Sequence, residues 1–155
     1  MPDIGILTCS NTTQDVGCSS FGCLKAAYAG EGTFGAYPDS VRVMGIINCA
    51  GCPGLRSHDK ILRRVGALAA SGVSAVHFAY CMVEGCPFLP KYERAIREAF
   101  PELTLVRGSH PAPPAQVEEP LLREIGHWLV APRKSIPEIA RDLRQSLAAQ
   151  GETPA

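Results

Sequence analysis

Four short runs of the chain are apolar at nearly every position: "DIGILT" from Asp3, "VRVMGII" from Val41, "VSAVHFA" from Val73 and "LTLVRG" from Leu103. Short apolar runs without alternation predict strands covered on both faces, as in a parallel sheet. Between them the period becomes that of a helix. From Leu55 to Ala70, the residues Ile61, Leu62, Val65, Leu68 and Ala69 fall on one stripe, and Gly72 is a stop. Tyr92, Ile96 and Phe100 make a second stripe on a helix opened by Pro90. "CLKAAYA", from Cys23 to Ala29, predicts a shorter helix ahead of the glycine-rich loop "GEGTFGAYPDS". Strands alternating with helices predict an α/β fold: a Rossmann-like or flavodoxin-like parallel sheet of about four strands, in the simple order 2-1-3-4, with flanking helices.

After His110 the pattern changes. "PAPPAQVEEP" reads as a stiff connector. Beyond it Ser135 and Glu138 match a capping box ahead of Ile136, Ile139, Leu143 and Leu147 at helical spacing. The organisation expected is an α/β domain over residues 1–110, followed over residues 111–155 by a proline-rich connector and a helical tail that Trp128 packs back onto the domain. A chain of 155 residues suits one such unit.

Composition narrows the function. Hydrophobic residues make up 46% of the chain, and 15 basic residues balance 15 acidic ones. Zero formal charge gives no electrostatic reason to expect nucleic acid or an anionic membrane as partner. The first residues lack a basic leader, and no apolar run reaches membrane-spanning length, so the expected location is the cytoplasm. That location changes the meaning of the seven cysteines. Thiols there stay reduced and the count is odd, so a disulfide framework is excluded and metal binding or thiol chemistry takes its place.

The cysteines cluster by position. Cys9 follows the first strand, Cys49 and Cys52 the second, and Cys81 the third, with Cys86 in the same loop; His110 lies just past the fourth. Cys18 and Cys23 belong to the first strand-to-helix connection. All strands of a parallel sheet end at one edge, where ligands bind, so distant loops bring these groups together. A cysteine buried merely as a small hydrophobe would explain one or two of them.

These residues carry a resemblance. A first strand ending in cysteine, "CLKAA", a strand followed by "CAGCPG", a strand leading into "AYC", then "CPF" and "GSH" resemble the CGGC domain family over about residues 3 to 110. The resemblance implies a metal-binding domain. The positions matching its cysteine pattern are Cys9, Cys18, Cys23, Cys49, Cys52, Cys81 and Cys86, and His110 matches the histidine of its terminal "GTH". Ala50 stands where the family has glycine, a difference that matters if the backbone there needs a positive φ.

The residues themselves leave the chemistry open. A C-x-x-C turn aims two thiolates at one centre, suiting zinc or one edge of an iron–sulfur cluster. The leading ligand set is Cys9, Cys49, Cys52 and Cys81, with Cys86 and His110 next. The alternative is a thiol–disulfide redox enzyme using the Cys49–x–x–Cys52 dithiol, helped by Arg56 or His58. A phosphate or flavin loop at "SNTTQD" is the weaker third reading, an ordinary polar loop being preferred. No G-x-G-x-x-G or Walker motif is present, and no arginine stands at Cys-x5-Arg spacing from Cys9 or Cys49. Among the other histidines, His77 reads as a satisfied core residue, His58 as a capping or surface group and His127 as packing beside Trp128. Glu84 reads as a solvated loop residue.

Overall fold

The structure of the chain, a computed structural model, describes residues 1–51 and 56–111, together with Arg141 and Gln145. Four strands form one parallel sheet: β1 (Asp3–Thr8), β2 (Arg42–Asn48), β3 (Ala75–Phe78) and β4 (Thr104–Arg107). Their order is β2-β1-β3-β4, the order the alternating pattern predicts. Between them lie α1 (Ser10–Gln14), α2 (Phe21–Ala29), a 3-10 turn (Gly32–Ala36), α3 (Ser57–Ala70), α4 (Tyr80–Gly85) and α5 (Leu89–Ala99). The tail and its Trp128 contact lie outside the described residues, as does Cys52; Arg141 and Gln145 are helical and exposed. Among the described residues no helix is long and apolar enough to cross a membrane.

The sheet divides the core into two layers. On one face Leu7, Val76 and Phe78 pack with Ile61, Val65 and Leu68 of α3 and Tyr92 and Ile96 of α5. On the other, Ile4, Ile6 and Ala75 pack with Cys23, Ala26 and Ala27 of α2 and with Phe34 of the 3-10 turn. Alternate residues of each central strand thus serve opposite layers. Burial on both faces holds for β1 and β3, whereas β2 and β4 are sheet edges with exposed and half-buried positions. An apolar run cannot reveal which strand ends a sheet. Gly5 and Gly45 lie beneath Leu68, and a Cβ on Gly5 would overlap its side chain, so α3 sits directly on the backbone there.

The fully buried His77 is a core residue whose polar atoms are all partnered. Its Nδ1 lies 3.1 Å from the Gly108 carbonyl and its Nε2 2.8 Å from the Tyr37 hydroxyl. The consistent tautomer donates from Nδ1–H to the carbonyl and accepts at Nε2 from the phenol. The ring also stacks on Phe34, with centroids 4.5 Å apart. Burial pushes its pKa down, which keeps the imidazole neutral.

Two segments differ from the expected loops. "SNTTQ" forms α1, closed on itself by Thr13, whose hydroxyl donates to the Ser10 carbonyl at 2.9 Å. The segment carrying Cys81 and Cys86 forms α4, with Cys81 in its first turn and Cys86 as its C-terminal cap.

Candidate functional site

The order β2-β1-β3-β4 creates a switch point. The chain leaving β1 passes to the α2 face, and the chain leaving β3 passes to the face of α3 and α5. The switch point, where ligands bind in folds of this class, falls between the carboxyl ends of β1 and β3. Cys9 follows the end of β1 there, and Cys81 lies three residues past the end of β3.

Cys49 joins Cys9 through sheet register. Thr8 pairs with Asn48, and the Cys49 N–H continues the ladder to the Thr8 carbonyl at 2.8 Å. The next residues, Cys9 and Cys49, are therefore neighbours on adjacent parallel strands. Cys9 then caps α1 in an extended conformation, with φ −77° and ψ 125°. Backbone amides reach both neighbouring sulfurs: the Ser10 N–H donates to Cys49 Sγ at 3.2 Å, and the Cys9 N–H to Cys81 Sγ at 3.3 Å. The Ser10 hydroxyl donates to the Cys49 carbonyl at 2.7 Å. Asn48 holds α1 in place, its amide donating to the hydroxyls of Thr8 at 3.1 Å and Thr13 at 2.7 Å. From α3, Arg64 donates to the Asn48 carbonyl at 2.7 Å and also bonds the Cys49 carbonyl.

This arrangement polarises the two thiols in opposite directions. The Cys49 thiol donates to the Cys9 sulfur and, with the Thr12 hydroxyl and the backbone amides of Thr12 and Asn11, brings the Cys9 pKa down to about 5 against the cost of its burial. Cys49 moves up, because the Cys9 charge holds its proton and burial disfavours a second charge. The pair keeps one proton between two sulfurs at neutral pH. Cys81 is also raised, principally by burial.

A second polar group lies on the α2 side. Ser109 Oγ is 3.1 Å from His110 Nδ1 and 3.5 Å from Cys23 Sγ, while Cys23 Sγ is itself 3.5 Å from His110 Nδ1. The Tyr80 N–H donates to Ser109 Oγ at 3.0 Å, and the Tyr80 and His110 rings meet with centroids 5.4 Å apart. Burial raises Cys23 and lowers His110. Gly32 makes room for this end of the sheet. It has a positive φ of 60°, and a Cβ there would overlap the Ser109 carbonyl, to which the Thr33 N–H donates at 3.1 Å. Cys81 is packed against both core layers and so stands between the two groups.

Cys18, Cys86, Arg56 and His58 are also candidates from the sequence, and Cys18 lies near enough to Cys23 for a negative charge on it to raise the Cys23 thiol further. Cys18 is exposed and its sulfur accepts the Ser20 N–H at 3.4 Å. Cys86 is half-buried against the apolar layer beneath α5. Arg56 and His58, the cations considered for a dithiol, both engage Asp59, at 3.0 and 3.3 Å. Among the described residues no three Cys, His, Asp or Glu side chains stand close enough together to hold one ion.

The CGGC domain family model matches residues 3–110 of this chain, the whole of the sheet with its sulfur-bearing edge. The chain belongs to the CGGC domain family. In this CGGC domain the name motif reads Cys49–Ala50–Gly51–Cys52, and the left-handed backbone falls on Gly51, with φ 81°, while Ala50 has no positive φ. The alanine is therefore tolerated without backbone strain. No curated protein and no solved structure matches the chain.

Ser10, Thr12, Asn48, Arg64, Tyr80 and Ser109 support this edge; the sequence marked Ser10 and Thr12 only within the polar loop "SNTTQD", and gave none of the six a role beside the sulfurs. "GSH" does contain Ser109 beside His110, but only the fold brings Cys23 to it.

Proposed function

We propose that this CGGC domain binds a metal centre, zinc or an iron–sulfur cluster, through thiolates at the carboxyl edge of its sheet. The observation that carries the reading is that Cys9, Cys49 and Cys81 come from three different strand ends, the Cys9 amide donating to Cys81 Sγ and the Ser10 amide to Cys49 Sγ at the start of α1. Cys9 supplies a thiolate at neutral pH and Cys49 the adjoining sulfur, so the donor chemistry suits a soft or borderline cation. The described residues alone do not close on an ion, and the C-x-x-C spacing offers Cys52 as the further thiolate that completes the set with Cys81. Cys23 and His110, held by Ser109, form a secondary donor group, and Cys18 and Cys86 are reserve thiols. A bound zinc supplies a structural clamp or a Lewis acid, and a cluster supplies a site for one electron. Whichever is held, the protein's own part is clear: Arg64 and Asn48 fix the end of β2, and the Cys49 S–H holds the proton that leaves when the second thiolate forms.

Elemental analysis with a visible absorption spectrum, on protein purified without oxygen and without a metal-affinity tag, tests this. Iron with acid-labile sulfide supports a cluster, and zinc near one equivalent supports a mononuclear site. Cys49→Ser is expected to lose the metal, and full retention would remove Cys49 from the ligands. Metal-free wild-type protein that takes up neither ion would overturn the reading.

A further inference from the structure

The pairing of Cys9 with Cys49 has a geometry of its own, independent of any ion. Their sulfurs are carried by adjacent parallel strands, one residue past a ladder pair and in continued register. Strands so paired lie about 4.8 Å apart. Disulfides form between Cα atoms roughly 4.4 to 6.8 Å apart. Residues in direct register also point to the same side of the sheet, and the amide of Ser10, the residue after Cys9, donates to Cys49 Sγ at 3.2 Å. The two differ in access: Cys9 is half-buried, while Cys49 is 2% exposed.

We infer that Cys9 and Cys49 form a reversible disulfide and give this protein a thiol–disulfide exchange activity with low-molecular-weight disulfides. This bridge differs from the Cys49–Cys52 bridge that the C-x-x-C motif suggests. Cys9, the accessible sulfur, attacks one sulfur of the small disulfide; an S–S bond forms to Cys9, the small disulfide's own bond breaks, and one small thiolate leaves. Cys49 then gives up its proton and attacks the Cys9 sulfur, forming the internal bond and releasing the second small thiol. Two protein thiols and one small disulfide become one protein disulfide and two small thiols, so electrons and protons balance. Arg64 and the Ser10 hydroxyl, both on the Cys49 carbonyl, are positioning groups that keep Cys49 behind Cys9.

The test is thiol mapping on the full-length chain, reduced, freed of metal with a chelator and equilibrated with reduced and oxidised glutathione at stepped ratios. After acid quenching and alkylation, Cys9 and Cys49 are expected to lose alkylation together and appear in a linked peptide pair lighter by two hydrogens. Cys49→Ser should instead trap glutathione on Cys9, whereas Cys9→Ser should leave Cys49 unmodified. A Cys49–Cys52 or Cys9–Cys81 bridge would overturn the inference, as would no bridge at any ratio in a chain whose circular dichroism shows it folded. The metal reading fails separately: bridge formation in a protein that never takes up metal removes that reading and leaves this one, and the converse result does the reverse.

Discussion

Cys9 owes its acidity to a neighbour more than to any formal charge. The Cys49 S–H is the largest contributor, ahead of the Thr12 hydroxyl and the first amides of α1. Cys49→Ala therefore should move the Cys9 ionisation up from about 5 towards the ordinary thiol range, read from thiolate absorbance near 240 nm against pH in metal-free protein; an unchanged midpoint would mean the helix start alone sets it. His77 gives the opposite kind of titration. Burial lowers its folded pKa, so its contribution is complete above the ordinary histidine value. As pH falls below about 6.5 the unfolded chain binds a proton that the folded chain resists, and stability should decline by up to about 1.4 kcal/mol per unit until the folded pKa is passed. His77→Ala should abolish that decline and cost about 3 kcal/mol at pH 7, both measurable by urea unfolding at several pH values. At this scale the sequence was half legible. His77 could be read as core from the apolar run around it, but Ser109 and Arg64 act on sulfurs and carbonyls that approach them only in the folded chain.

The longer elements follow their periodicity closely. α3 and α5 begin and end within a few residues of their apolar stripes, and the strands fall inside the four apolar runs or one residue beyond them. The short helices do not. α1 has five residues and α4 six, too few for a 3.6-residue period to register, and α1 is held by tertiary contact from Asn48, whose amide donates to its Thr13 hydroxyl. Cys81 consequently stands on a helix where a loop was expected. Packing of α3 on the sheet supplies the test at this scale. Gly5→Ala would thrust a methyl group into Leu68, and overpacking of that kind should cost about 1–3 kcal/mol in chemical denaturation. The double change with Leu68→Ala should lose less than the sum of the two single changes, since the cavity receives the methyl. Strict additivity would show that α3 shifts as a body instead.

For the whole molecule, alternation of strand and helix sufficed to predict the sheet and its order, because a right-handed crossover rule leaves few arrangements of four parallel strands. It also placed Cys9, Cys49 and Cys81 just past the carboxyl ends of neighbouring strands. What it could not resolve was which sulfurs touch, since that depends on register between β1 and β2, and an irregularity at Ile4/Gly5 shifts that register by one residue. The C-x-x-C spacing points to Cys52 as the partner of Cys49, and among the described residues sheet register adds Cys9, 40 positions earlier. That separation has an entropic meaning. A covalent link between these two strand ends would close a loop containing α1, α2, the 3-10 turn and β2, and by the loop-entropy relation would remove about 4 kcal/mol of freedom from the unfolded chain. The oxidised protein should then melt on the order of 10 °C above the reduced one in calorimetry. Linkage works in both directions: whatever the bond adds to the fold, the fold adds to the bond's resistance to reduction, so β-sheet register alone makes this edge a store of oxidising history.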